Sequence, residues 1–202
     1  MKTGIYGGTF NPIHRGHLHL LTEFTRRLSL DRVLLIPTRV PPHKEAPDLA
    51  SGEDRLQMCR LAVEGISHLQ ISEIEMRREG KSYTAETLEE LHDLFPKDRF
   101  YLLMGEDMFL TVEHWYRPET IFALSAVCAT PRSLHGMGKL QMKKEEYQER
   151  YGARCYLEDI PYLPVSSTQV REWVQEGKDI TPLVPDNVAA YIQEHGIYRK
   201  GC

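Results

Sequence analysis

Two histidines three residues apart, His14 and His17, stand just after a glycine pair in the run Gly7-Gly8-Thr9-Phe10-Asn11-Pro12-Ile13-His14-Arg15-Gly16-His17. If a helix begins near them, that spacing projects both rings to one side. Each neutral imidazole can donate an N–H to an oxygen, and each gains charge readily when an anion arrives. Gly7 and Gly8 allow a ligand to approach the backbone closely, and Pro12 stiffens the turn. A helix opening here adds unpaired N–H groups and the positive end of its dipole. Together these groups describe a phosphate site, although the order of residues is neither G-x-G-x-x-G nor a Walker A loop. Metal ligation by His14, His17 and His19 is the rival reading. No H-E-x-x-H pattern or nearby acidic ligand supports it, so no protein metal ligands are assigned.

A second anchor lies near the other end, in Val165-Ser166-Ser167-Thr168-Gln169-Val170-Arg171. Ser167 or Thr168 is expected to cap a helix that carries Arg171 in its first turn. Backbone N–H groups, hydroxyls and a planar guanidinium then converge on one anion-sized spot.

Both anchors need a frame. Short apolar runs at Thr3–Tyr6, Val33–Ile36, Leu69–Ile71, Phe100–Met104, Ala126–Ala129 and Arg154–Leu157 read as buried parallel strands. Helical patterns alternate with them: His17–Leu28, Ser51–Ile66 with Ser51 and Asp54 at capping-box spacing, a segment capped by Thr84, the one opening at Ser167 or Thr168, and Asp186–His195. The order implies an α/β fold, a doubly wound parallel sheet of Rossmann-like type with right-handed crossovers, whose ligands bind beyond the carboxyl ends of the strands. Residues 1–202 read as a single domain with a helical part from residue 165 onward. Two stretches, Val40–Pro47 and Arg132–Gly138, read as loops.

Composition narrows the partners. The formal charge of −4 gives no basic face for nucleic acid, and no apolar run is long enough to span a membrane. Four widely spaced cysteines, without a C-x-x-C pair, suit reduced thiols in a cytoplasmic protein. The strand-like start at Met1-Lys2-Thr3 leaves no room for a signal peptide. A homo-oligomer is left open.

The run from Gly8 to His17 resembles the H-x-G-H signature of the nucleotidylyltransferase superfamily, with Asn11 where many relatives carry Asp. Val165-Ser166-Ser167-Thr168-x-x-Arg171 resembles its second signature, Ile-Ser-Ser-Thr-x-x-Arg. Val40-Pro41-Pro42-His43-Lys44, Gly80-Lys81-Ser82-Tyr83-Thr84-Ala85, Gly105-Glu106-Asp107, Trp115-Tyr116 and the ending Pro185–Tyr198 are similar to the bacterial nicotinate-mononucleotide adenylyltransferases. That resemblance implies transfer of AMP from ATP to nicotinate mononucleotide, with Mg²⁺ held mainly by ATP phosphates and water. It implies His14, His17 and Arg171 as catalytic residues, with Gly7, Gly8, Thr9, Phe10, Gly105, Asp107, Ser167 and Thr168 completing the ATP site. It further implies acceptor contacts from Arg39, Lys44, Thr84, Ala85, Trp115 and Tyr116. Two alternatives stand beside it: a sister transferase acting on nicotinamide mononucleotide or another phosphate, and a nucleotide-binding sensor without turnover.

Overall fold

The computed structural model describes residues 1–40, 48–132 and 136–199. The expected strands all form: β1 (Lys2–Gly8), β2 (Arg32–Pro37), β3 (Leu69–Ile71), β4 (Arg99–Gly105), β5 (Ser125–Thr130) and β6 (Cys155–Leu157). They make one sheet in the order β3-β2-β1-β4-β5-β6, with every neighbouring pair parallel. Alternate residues of each strand face opposite layers. Val33, Leu35 and Leu103 join one core, while Leu34, Ile36 and Leu102 join the other.

Nine α-helices lie among the described residues: α1 (Arg15–Leu28), α2 (Gly52–Val63), α3 (Ile74–Arg77), α4 (Thr84–Leu94), α5 (Glu106–Phe109), α6 (Pro118–Leu124), α7 (Gly136–Tyr151), α8 (Ser167–Gln175) and α9 (Asp186–Glu194). The first core takes Leu21 and Phe24 from α1, Met58 and Cys59 from α2, Val170 from α8, and Val188 and Ile192 from α9. The C-terminal helical part is therefore built into the same core as the first strand. Leu88 of α4, Phe122 of α6 and Leu140 and Tyr147 of α7 cover the other face. Full burial of a leucine or phenylalanine contributes about 1.5–3 kcal/mol, so these facing stripes dominate the packing.

Several expectations are corrected. Thr84 is the first residue of α4 and not its cap; Tyr83 is the N-cap, with no side-chain hydrogen bond. Ser166, not Ser167 or Thr168, caps α8 by accepting the Gln169 N–H. Arg171 consequently lies just past the first turn. Gly136 and Gly138, read as loop, belong to α7. Packing of Leu140 and Tyr147 outweighs the poor helix propensity of two glycines. A side chain at Gly136 would collide with the Glu106 carboxylate. Of the other loop reading, Val40–Pro47, all but Val40 lies outside the described residues.

The sheet order reverses direction between β1 and β4, and the two strands part there. Their pairing runs from Lys2↔Arg99 to Ile5↔Leu102 and stops. β1 continues to pair with β2 as far as Gly8↔Pro37, and β4 with β5 as far as Gly105↔Thr130. The result is a crevice at the carboxyl ends, where such sheets bind ligands.

Candidate active site

Residue identity explains the local geometry of the histidine pair. His14 is the N-cap of α1, and its Nδ1 accepts the His17 N–H at 3.3 Å. The Nδ1 of His17 accepts the His14 N–H at 3.2 Å, so the two side chains make a reciprocal capping box. With Nδ1 an acceptor in both rings, each neutral imidazole carries its proton on Nε2, the atom free to meet a ligand. The rings stack with centroids 3.6 Å apart and 21° between planes. A side chain at Gly16 would approach His14 Nδ1 to 3.0 Å and the Val165 carbonyl to 3.3 Å, tight enough that the His14 ring would have to give by a few tenths of an ångström. Burial, then the positive field of Arg132, pulls His14 down to about 4. Burial, then His14 and Arg132, holds His17 well below the usual imidazole value. Near neutral pH the pair is thus two neutral N–H donors.

The second anchor is bolted to the first. Ser167 Oγ donates to the Pro12 carbonyl at 2.8 Å, and Arg171 Nη1 donates to the Asn11 carbonyl at 2.9 Å. The Ser167 hydroxyl hydrogen is therefore committed within the protein. What α8 offers a ligand is the main-chain N–H groups of its first turn. Arg171 Nε is buried with no partner, an orphan that a phosphate oxygen would satisfy. Asn11 has a role that its mismatch with relatives did not suggest. Its amide donates to the Asp48 carbonyl at 2.9 Å and accepts from the Ala50 N–H at 3.0 Å and the Tyr198 hydroxyl at 2.7 Å. An aspartate could accept as well but could not make the donation.

A cleft of about 470 Å³ gathers Thr9, Phe10, His14, His17, Gly105, Asp107, Ser167, Thr168 and Arg171. Arg132 also lines it, and the sequence reading missed this residue. Its Nη1 pairs with Asp107 Oδ2 at 2.6 Å, and its N–H donates to Glu106 Oε2 at 2.7 Å. A cation two residues beyond the carboxyl end of β5 was the available signal.

A second cavity of about 370 Å³ adjoins the cleft and shares Tyr6, Thr9, Gly105 and Met108 with it. Trp115, Tyr116 and Thr84 line this cavity, as do Gly7 and Gly8. The two glycines therefore line the second cavity and not the cleft that holds the histidine pair. Ala85 is fully buried and lines neither cavity. Arg39 also lines neither and donates to the Arg78 carbonyl at 3.1 Å. Lys44 lies outside the described residues. Because no side chain caps α4, the N–H of Thr84, which lines the cavity, lies uncapped at its positive end. Deeper in the cavity, Glu75 is buried and accepts the Thr87 hydroxyl at 2.9 Å. Burial raises its carboxyl above the usual range, against the lowering by the Thr87 hydroxyl and Arg78. The Ser82 hydroxyl is buried without a partner.

Among the described residues, no three His, Cys, Asp or Glu side chains converge as a metal site, and no helix is long and apolar enough to cross a membrane. The arrangement can neutralise a polyphosphate in one cavity while holding a flat ring in the other.

The 3-2-1-4-5-6 sheet, split at its switch point beside a neutral histidine pair, suits a nucleotide-binding enzyme, and a family model described as cytidylyltransferase-like matches residues 5–173. The chain belongs to the cytidylyltransferase-like family. Within it, the chain is 37% identical over 199 residues to a probable nicotinate-nucleotide adenylyltransferase of Desulfitobacterium hafniense strain Y51, covering 98% of this chain and 96% of that one. A probable nicotinate-nucleotide adenylyltransferase of Lachnoclostridium phytofermentans is 37% identical over 197 residues, 98% of each chain. The fold matches that of the Plasmodium falciparum nicotinic acid mononucleotide adenylyltransferase complexed with NaAD, with a TM-score of 0.80 at 20% identity and 98% coverage of both chains.

Proposed function

We propose that this enzyme transfers the AMP moiety of ATP to nicotinate mononucleotide, giving nicotinate adenine dinucleotide and pyrophosphate. The observation that carries the reading is the pair of adjoining cavities: an anion-suited cleft beside an aromatic pocket into which an uncapped helix N-terminus opens. The relatives named above carry that activity in their names.

An acceptor phosphate oxygen attacks the α-phosphorus of ATP in line, and the bond from that phosphorus to the bridging oxygen breaks as pyrophosphate leaves. The nucleophile is already anionic, so no general base is required. Catalysis comes from positioning and from donors aimed at developing charge. The Nε2–H groups of His14 and His17 face the ATP phosphates, with His17 nearer the α-phosphate. Arg171 and the first N–H groups of α8, at Ser167 and Thr168, hold the β- and γ-phosphates. A Mg²⁺ ion accompanying ATP would be held mainly by the substrate and water and would supply further neutralisation of phosphate charge. Asp107 faces a ribose once released from Arg132. Trp115 stacks on the pyridine, and the α4 N-terminus at Thr84 and Ala85, with the main chain at Tyr116, receives the carboxylate. Substrates of this kind and unpaired cysteines at 59, 128 and 155 suit a cytoplasmic setting.

The test is pyrophosphate release from ATP with nicotinate and nicotinamide mononucleotides side by side. The acid should be preferred by roughly 10²- to 10⁴-fold in kcat/KM, since an amide leaves about two donors unmatched at about 1–3 kcal/mol each. Equal use of both moves the assignment to a sister transferase, and no release with either moves it to a binding protein.

A further inference from the structure

Arg55 is among the largest side chains wholly shut away from solvent, with 1% exposure, and it lines neither cavity. Its guanidinium meets only main-chain carbonyls. Nη1 donates to Thr9 at 2.8 Å and Thr38 at 2.6 Å, Nη2 to Arg39 at 3.0 Å, and Nε to Ala50 at 3.2 Å. Burial lowers its pKa from the usual arginine value, yet guanidinium remains charged at any ordinary pH.

The partners are what matter. Thr9 follows β1 and borders both cavities, whereas Thr38 follows β2 and borders only the acceptor pocket. The last backbone bond between these segments runs from the Thr38 N–H to the Gly8 carbonyl. Past it, the carbonyls of Thr9 and Thr38 are both acceptors and cannot bond each other. One guanidinium nitrogen with two N–H groups serves both. Arg55 itself is fixed by its place at the end of the first turn of α2, which Ser51 caps. A lysine has three donors for these four carbonyls and lacks the planar fork, and a methionine has none.

We propose that Arg55 is a positioning residue for the transfer: from outside both cavities it sets the placement of the acceptor pocket relative to the phosphate cleft. This rests on the adenylyl transfer proposed above. Each cavity keeps its own contacts when Arg55 is lost, so each substrate still binds. What suffers is the in-line approach of acceptor oxygen to phosphorus, which tolerates little displacement, since about 1 Å can cost roughly 10²-fold.

The experiment compares Arg55→Lys and Arg55→Met with Arg32→Met, all assayed as folded protein at a temperature well below each Tm. Arg32 is the control because it too bridges segments, donating to Thr3 Oγ1 at 3.1 Å and Asp98 at 2.8 Å, but at the opposite end of the sheet. The expected result is a kcat lowered about 10-fold in Arg55→Lys and about 10²-fold in Arg55→Met, with either KM changed less than about 3-fold. Arg32→Met should lose Tm while keeping its kcat. A kcat within about 3-fold of wild type in Arg55→Lys or in folded Arg55→Met overturns the proposal, as does an equal kcat loss in Arg32→Met. If Arg55→Met does not fold, the lysine variant decides alone. A wild-type enzyme that releases no pyrophosphate would sink the proposed function instead, and is read separately.

Discussion

The two ends of the sheet treat their polar groups in opposite ways. At the amino end, Asp98 accepts from the Thr3 hydroxyl at 2.7 Å, from Arg32 at 2.8 Å and from the N-terminal ammonium at 3.1 Å. Arg32 also lies over the Phe95 ring, 4.3 Å from its centroid. That end is closed on itself. At the carboxyl end, the histidine pair turns both Nε2–H groups away from its own hydrogen bonds, and Arg171 Nε and Ser82 Oγ are buried without partners. The only other such atom among the described residues is His68 Nε2, just before β3. Two of the three unmet buried side-chain atoms among the described residues thus lie at the carboxyl end, beside the cavities, and groups of that kind suit a ligand that completes them.

Five substitutions test that division. The largest effect is expected for His17→Ala, which removes one donor to the developing charge and should cut turnover roughly 10²-fold or more with the fold intact. Near wild-type turnover in a folded variant would remove the phosphate role. Arg171→Lys keeps the charge but loses the planar fork and the bond to Asn11. It should lower kcat/KM for ATP by about 10-fold, and an unchanged value counts against the cleft assignment. Trp115→Ala should raise the KM of both mononucleotides about 10-fold, as loss of an aromatic stacking partner does, while ATP binding measured by calorimetry stays put. A weakened ATP affinity would mean that the two cavities are not separate subsites.

The smallest catalytic effect belongs to the amino end. Asp98→Asn should leave kcat unchanged and lower stability by about 1.5–3 kcal/mol, the range for hydrogen bonds to a charged group. The sign with pH is fixed. Hydrogen bonds from Thr3, the N-terminus and Arg32 outweigh burial and depress the Asp98 pKa. The stabilisation is therefore present above about pH 4 and fades as pH falls through the depressed value. Thermal melts of wild type and Asp98→Asn should converge on acidification; parallel curves down to pH 2 would refute the linkage. Glu75 is the converse case, since its raised pKa makes the folded state less stable as pH rises. Melting of Glu75→Gln should gain on wild type as pH rises above the ordinary carboxylate value of about 4.3.

Much of the frame was legible because buried parallel strands announce themselves. Val33–Ile36 and Phe100–Met104 are unbroken apolar runs, and each strand forms within one or two residues of its expected ends. The His14–His17 pair and Arg171 were legible because donor types recur at helical spacing. Their mutual capping was not, since histidine is an unusual cap and only coordinates show Nδ1 of each ring taken by the other's N–H. Helix α7 was hidden by Gly136 and Gly138, and α5 by its length of four residues. Arg55 and Arg132 escaped notice for a different reason. Arg55 reads as solvated surface in a helical pattern, since its carbonyl partners leave no mark on local sequence, while Arg132 falls in a stretch read as loop, with only its place two residues past β5 as a signal.

The hydrogen bond from Tyr198 to Asn11 joins residues 187 positions apart. Its consequence concerns synthesis. A ribosome delivers β1 and the histidine turn first, but the innermost strand cannot gain its second neighbour until β4 has emerged. The loop that carries Asn11 receives its Arg171 and Tyr198 ties later still. A nascent chain thus carries the histidine pair early and gains the ties that align it last.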